Sequence, residues 1–362
     1  MNKSLQVKEI LGKHISRQRL ARKFRLPPER ELAKQLGYSR ATVSKALGVL
    51  EGEGVILRKK GSGTFIAPSQ QEQALKIAVV IRTAYHYTDA HFRLIVEEVL
   101  KYAEKNNICI QIFDHATDVF KNDPDNNPLM RAIKNKEIDG VLIASKISID
   151  ILNRISSRCP TVLINNMLSG GSEIPCISCN YFLAGFLAGR YLFEHGHRKV
   201  AYVTDNHNAG SVFGFSGFKA ALDLCGVKVT KHDVLETKQH LNIFNKRIVN
   251  FFKNSGYTAC FFRRISYVSR MISTLEHNDI KVPEDLSIIT IGNYSNCQLN
   301  KLKLTVIDNQ LSKMCDLGLK KLKDMIKNDK RPEGDVTLLT PEIIENDSVI
   351  KLNHDISKKV KG

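Results

Sequence analysis

The sequence predicts an α+β winged helix-turn-helix head followed by a larger α/β domain of two lobes. Three observations carry that expectation. Positive charge is concentrated near the N-terminus. Two short helical patterns, split by a glycine, precede a glycine-tipped apolar hairpin. Beyond residue 75, short apolar runs alternate with helical patterns. At 362 residues the chain is long enough for two or three domains with their own cores.

The charge comes first because it narrows the class. The formal net charge is +17, and residues 1–68 hold 15 Lys and Arg against 5 Asp and Glu. More than half of the excess therefore lies in under a fifth of the chain, the footprint of a nucleic-acid-binding module. Hydrophobic content of 43% and charged content of 25% suit a globular protein rather than a disordered one. No apolar run reaches membrane-spanning length, and Met1-Asn2-Lys3-Ser4 begins no signal-peptide pattern. A cytoplasmic protein without a membrane partner is expected.

In the head, residues 5–18 read as an amphipathic helix with Leu5, Ile10, Leu11 and Ile15 on one stripe. A second helix starts after Pro27-Pro28, with Glu29 and Glu31 at its positive end and Leu32, Ala33 and Leu36 inward. Gly37 stops it, and Ser39 is placed to cap a third helix that runs to about Glu51. Val43, Leu47 and Leu50 face inward there, while Arg40, Ala41, Ser44 and Lys45 face outward near its start. Helix, turn, helix is the arrangement whose second helix enters a major groove. Small residues let the backbone come close, Thr42 suits a phosphate or a thymine methyl, and Arg40 can fork onto guanine. Residues 55–57 and 64–66 then form an expected hairpin, with Lys60 and the glycines of Arg58-Lys59-Lys60-Gly61-Ser62-Gly63 at its tip and Thr64 opening its second strand. The expected partner is double-stranded DNA.

Residues 27–67 resemble the winged helix of the GntR-type bacterial regulators across the whole helix, turn and wing. That resemblance implies DNA contacts by Arg30, Ser39, Arg40, Thr42, Gly61 and Gly63. Ser44 and then Lys45 stand where the family usually has a second arginine followed by glutamate, so base preference is expected to differ.

In the second domain, runs at 77–81, 108–113, 140–144, 161–164, 199–203, 259–262 and 287–291 read as buried strands. Helical patterns near 91–105, 128–135, 148–157, 181–195, 214–225, 242–254, 267–278 and 310–327 lie between or after them. This alternation specifies parallel sheets, which take ligands beyond the carboxyl ends of their strands. There is no dinucleotide fingerprint, phosphate-binding P-loop or nucleophile elbow, so neither catalytic residues nor cofactors are expected. Cys176 and Cys179 lack a second pair, and His195 and His197 do not share a helix face, so no metal site is expected.

The segments IDGVLIAS (138–145), CPTVLINN (159–166), LFEHGHRKVAYVTDN (192–206), GFKAAL (217–222) and IKVPEDLSIITIGN (280–293) resemble the periplasmic-binding-protein-like effector domain of the LacI family. The resemblance covers residues 76–350 and implies two lobes closing on a small ligand, commonly a sugar, and a homodimer made by this domain. The expected layout is a head over 1–67, a linker over 68–75, an effector-binding and dimerisation domain over 76–353, and a flexible tail over 354–362. Against the family pattern, Gly214 replaces an arginine, Arg263-Arg264 replace Asn-Asp, and Gly292 and Asn180 replace acids. Candidate ligand residues are Tyr87, His91, Phe92 and Asn166 from the first lobe, and Phe213, Phe215, Arg264 and Asn293 from the second. Aromatic faces with arginine suit an acidic sugar derivative; the alternative is a domain that has lost its ligand and only dimerises.

The expected function is a ligand-responsive transcriptional regulator, a repressor of carbohydrate-utilisation genes released from a palindromic operator by its effector. An activator or ligand-enhanced DNA binder is the alternative within the class. A small-molecule enzyme with a basic N-terminal module is the alternative outside it.

Overall fold

A computed structural model describes residues 3–20, 25–59, 62–66, 74–81, 90–114, 125–165, 173–204, 209–236, 241–253, 255–263, 265–293, 298–299, 302–328 and 334–352. Its contacts divide the chain into two compact units, Met1–Ala74 and Leu75–Gly362. Leu75 opens a strand instead of ending a linker. Most of the expected linker, and the tail 354–362, lie outside the described residues.

In the head, α1 (Lys3–Leu20) buries Val7, Leu11 and Ile15, a strict four-residue spacing on one helix face. The expected stripe needs correction here: Ile10 is 41% exposed, because a 100° step per residue carries it off that line. α2 (Glu29–Leu36) ends where Gly37 takes φ 70 and ψ 27, the left-handed conformation that costs glycine least. α3 (Arg40–Gly52) buries Val43, Ala46, Leu47 and Leu50. β1 (Ile56–Lys59) and β2 (Gly63–Ile66) pair antiparallel, with Ile56 opposite Ile66 and Lys59 opposite Gly63. Arg25 adds a bridge to Phe65, and the Leu26 N–H donates to the Thr64 carbonyl at 2.9 Å. The wing is thus a two-stranded hairpin with an isolated bridge beside it, contributed by the segment just before Pro27-Pro28.

The body has two sheets. The first lobe contains β3 (Leu75–Ile81), β4 (Ile108–Asp114), β5 (Gly140–Ile143), β6 (Thr161–Ile164) and β7 (Cys176–Cys179), joined by β15 (Val336–Leu339). Their order is β15-β7-β6-β5-β3-β4, all parallel. The second lobe contains β8 (Val200–Thr204), β9 (Val234–Glu236), β10 (Ala259–Phe262), β11 (Ser287–Gly292), β14 (Thr305–Asp308) and β16 (Glu342–Ile344). Their order is β16-β14-β11-β10-β8-β9, and only β16 is antiparallel. β12 (Gln298–Leu299) and β13 (Leu302–Lys303) form a small separate hairpin. The helices are α4 (Ala90–Asn106), α5 (Pro128–Lys134), α6 (Ile149–Ser156), α7 (Tyr181–Glu194), α8 (Ala209–Leu224), α9 (Leu241–Phe252), α10 (Ile265–Glu276) and α11 (Leu311–Asn328).

The strands are apolar throughout because both faces of each sheet are covered. Ile77, Val79 and Ile81 enter one core cluster, while Ala78 and Val80 enter another on the opposite face. Cys176 and Cys179 obey the same alternation. Being three apart on one strand, they fall into different clusters on opposite faces, so their sulfurs cannot meet. α7 and α8 pack backbone to backbone: a methyl group on Gly185 would lie 1.9 Å from the Gly214 carbonyl oxygen, and one on Gly217 would lie 1.9 Å from that of Phe182.

Three crossings link the lobes: β7 to α7 through Asn180, β14 to α11 through Asn309 and Gln310, and β15 to β16. Asn180 ties two of them, since its N–H donates to Leu339 O at 2.9 Å. The chain end returns to the second lobe at His197, which is fully buried. Its Nδ1 meets Thr258 Oγ1 at 3.0 Å and its Nε2 meets Ile350 O at 3.1 Å. Burial lowers the imidazole from its ordinary range to about 4. His195 meets the Tyr191 carbonyl at 2.9 Å through Nδ1. Among the described residues, no three His, Cys, Asp or Glu side chains are grouped to hold a metal ion.

Candidate functional site

The head presents the start of α3 as an open, cationic surface. Ser39 sits at φ −64 and ψ 149, and its Oγ accepts from the Thr42 N–H at 3.2 Å. Ser39 and Thr42 also share a hydroxyl bond of 2.8 Å. The cap fixes the angle at which the chain enters the helix and leaves other first-turn N–H groups outward. Arg40, Ala41 and Lys45 are exposed, and so is Arg30 on α2. Among the described residues, a long 3.8 Å approach to Glu29 is the ion pair Arg40 makes, and its side chain is 75% exposed. Ser44 is half-buried, and its carbonyl accepts from Arg58 Nη2 at 3.0 Å.

Arg58 is a residue that sequence reading missed. It stands on β1 within a run that reads as one basic tip, yet it faces inward. It meets Glu29 and Glu51 at 3.5 Å each, joining α2, α3 and the wing. Arg25 was also missed. It lies 5.9 Å from the Phe65 ring centroid, with Lys59 at 5.7 Å from the same ring. Gly63 takes φ 112, and a methyl group there would lie 3.3 Å from Arg25 Nε. Thr64 is half-buried in β2. Lys60 and Gly61 fall outside the described residues. Arginine type alone could not separate the inward Arg58 from the outward Arg40; their positions relative to the helix caps do.

In the body, the carboxyl ends of β8, β10, β11 and β14 form one edge of the second lobe. Asn293 lies there, buried, just beyond β11. Arg263 directly follows β10, anchored by its N–H to Val203 O at 2.9 Å. Its guanidinium lies 4.4 Å from the Tyr181 ring centroid, and its Nε is buried with no hydrogen-bond partner. The Tyr181 hydroxyl donates to Asn165 Oδ1, and the Asn180 side chain caps α7 by accepting from the Leu183 N–H at 3.0 Å. Thr204 donates to Ser211 Oγ at 3.1 Å, and Tyr202 to Ser211 O at 3.0 Å. Burial pushes the Cys179 thiol nearby up to about 12, which keeps it protonated and inert.

Of the expected ligand residues, Phe92, Phe213, Phe215 and Asn293 are described. Phe213 is exposed on α8. Two residues on, Phe215 turns to the other face, half-buried, and packs on Tyr202 with ring centroids 5.3 Å apart. Phe92 is half-buried and packs against the core of the first lobe. His91 belongs to α4, with its side chain outside the described residues, where Tyr87, Asn166 and Arg264 also fall. Arg263, which directly follows β10, is the cation described at this edge.

Comparisons with known proteins match this division. Residues 3–66 match the gntR family of bacterial regulatory proteins. Residues 91–259 match the periplasmic binding proteins and sugar binding domain of the LacI family, and residues 190–349 match the periplasmic binding protein-like domain. The chain is a DNA-binding transcription regulator that joins a GntR-type helix-turn-helix domain to a LacI-type periplasmic-binding-protein-like domain. It is 26% identical to the arabinose metabolism transcriptional repressor of Geobacillus stearothermophilus, over 96% of this chain and 97% of that one. It is 23% identical to the HTH-type transcriptional repressor PurR of Vibrio atlanticus, over 90% and 99% respectively. A LacI family transcriptional regulator from Enterococcus faecium, solved with bound ribose, shares the fold at a TM-score of 0.64. It covers 77% of this chain and 100% of its own, at 22% identity.

Proposed function

We propose that this chain is a cytoplasmic, homodimeric repressor of carbohydrate-utilisation genes, released from a palindromic operator by a small-molecule effector. The observation that carries the reading is the capped, exposed N-terminus of α3 with Arg40 free to reach a base edge, on the same chain as a two-lobed body. Arg30, Ser39, Arg40, Ala41, Thr42, Ser44, Lys45, Lys60, Gly61, Gly63 and Thr64 make the DNA surface, Arg40 reading a base and the wing holding phosphates. Two heads related by two-fold symmetry match two half-sites. The body makes the dimer, because a head of roughly 70 residues has little apolar surface left after building its own core.

The effector, a sugar or acidic sugar derivative, binds between the lobes. Closure then acts through the three crossings and biases the heads away from operator spacing. Relatives named for arabinose metabolism and solved with ribose support a carbohydrate ligand. The test is fluorescence anisotropy of the full chain on duplexes from its own promoter, with and without candidate sugars. Release by a sugar is the expected result. Tighter binding with sugar would instead make the ligand a co-repressor or the protein an activator.

A further inference from the structure

We propose that Arg263 is an anion anchor in the effector site, and that the effector carries a carboxylate, sulfate or phosphate group. The proposal rests on the reading of the body as an effector domain and narrows the chemistry of what that domain accepts.

Arg263 is held between two walls. One is the Tyr181 ring, 4.4 Å from the guanidinium carbon. The other is the first turn of α8, where a methyl group on Gly210 would lie 2.6 Å from Arg263 Nη2. The next turn opens the same space, since a methyl on Gly214 would lie 3.9 Å from Arg263 Cδ. Neither wall answers the charge fully. The ring offers a weak attraction through its face, and its hydroxyl is already given to Asn165. The start of a 16-residue helix is a positive pole, the wrong place for an unaccompanied cation.

Among the described residues no carboxylate lies within 4 Å of the Arg263 guanidinium. Asp308, on the same edge at the end of β14, accepts from the Gln310 N–H at 3.1 Å. Arg263 Nε is left buried and unpaired, a state that native structures complete with water, a ligand or an ion. An oxyanion would satisfy it. Two of its oxygens can accept from the planar guanidinium in parallel, and its charge balances both the arginine and the helix terminus. A neutral sugar hydroxyl could accept one bond and balance neither.

The test is thermal unfolding of the full chain, wild type and Arg263→Met, in sodium sulfate and sodium chloride at equal ionic strength, then with glucose, glucuronate and glucose 6-phosphate. We expect at least one anion to raise the wild-type Tm beyond its neutral counterpart, and Arg263→Met to abolish that difference. An equal anion response in the variant, or none in the wild type, overturns the proposal. If Arg263→Met does not fold, Arg263→Lys replaces it. Lysine keeps the charge without the fork, so the response should weaken, and an unchanged response overturns the proposal. Glucose stabilising both proteins alike would also overturn the anion assignment while leaving the regulator reading intact. Failure of the chain to bind any duplex would remove that reading without touching the anion result.

Discussion

The start of α3 and the strand-end edge of the second lobe are both polar surfaces, yet they are built in opposite ways. Around α3 the chemistry is local: a cap, a cation and small residues follow one another in six positions, and most stand open. At the lobe edge it is assembled from distant segments. Arg263 comes from the end of β10, Tyr181 from the start of α7 and Gly210 from the start of α8, and Arg263 Nε is buried. The contrast suits the partners. A DNA duplex offers a large regular surface that one exposed helix can read. A small ligand must be enclosed, so its site needs groups that converge.

Breaking the enclosed region should cost most. Gly217→Ala forces a methyl group against the Phe182 carbonyl in rigid backbone, and α7 must move away from α8. Overpacking typically costs about 1–3 kcal/mol, and a clash with rigid backbone on both helices belongs at the upper end. Gly48→Ala in α3 meets nothing within 4 Å and should stabilise the head by about 0.5–1 kcal/mol. Calorimetry of the full chain measures both, and similar effects at the two sites would erase the distinction between a tight body and an open head surface.

Much of this contrast was readable from sequence, but unevenly. The head was legible because proline, capping serine and glycine mark its boundaries within a few residues. In the body, β3, β8, β10 and β11 were legible because parallel strands buried on both faces are unbroken apolar runs. β7 was not read as a strand, because Cys176-Ile177-Ser178-Cys179 lacks an obvious β-branched run. β9, β15 and β16 are short edge strands with exposed positions, so their patterns are weak. From sequence Arg264 was the candidate, with Arg263 noted beside it as a second cation of the same run. The end of β10 sets Arg263 against Tyr181, a placement that residue type does not carry.

The next effect belongs to the body alone. His197 is held neutral in the fold, with its imidazole lowered from 6.5 to about 4. The unfolded chain therefore binds the extra proton first. The stabilisation is complete above pH 6.5 and is lost as pH falls toward 4, a change on the order of 3 kcal/mol. Denaturant unfolding of the wild type and His197→Gln across that range should show a steeper acid decline in the wild type. Parallel curves would mean that the buried ring is not the group responsible.

Two smaller effects separate reading from folding within the head. Arg40→Ala should weaken operator binding by about 1–3 kcal/mol and relax preference at one base position per half-site. Equal loss on operator and scrambled duplexes would make it a phosphate contact instead. Ser39→Ala removes the cap on the Thr42 N–H and should cost about 1 kcal/mol of head stability. Hydrogen exchange at the start of α3 would register that loss, and unchanged protection there would deny the cap its role.

The central claim is that the exposed start of α3 reads DNA under control of a ligand held by the body. Selection of bound duplexes from a randomised pool by the full chain, followed by anisotropy on the enriched sequence, tests it most directly. A palindrome of two half-sites should be enriched, bound less tightly by Arg40→Ala, and released by an effector. An unenriched pool, or an enriched sequence whose binding ignores Arg40→Ala, would contradict it.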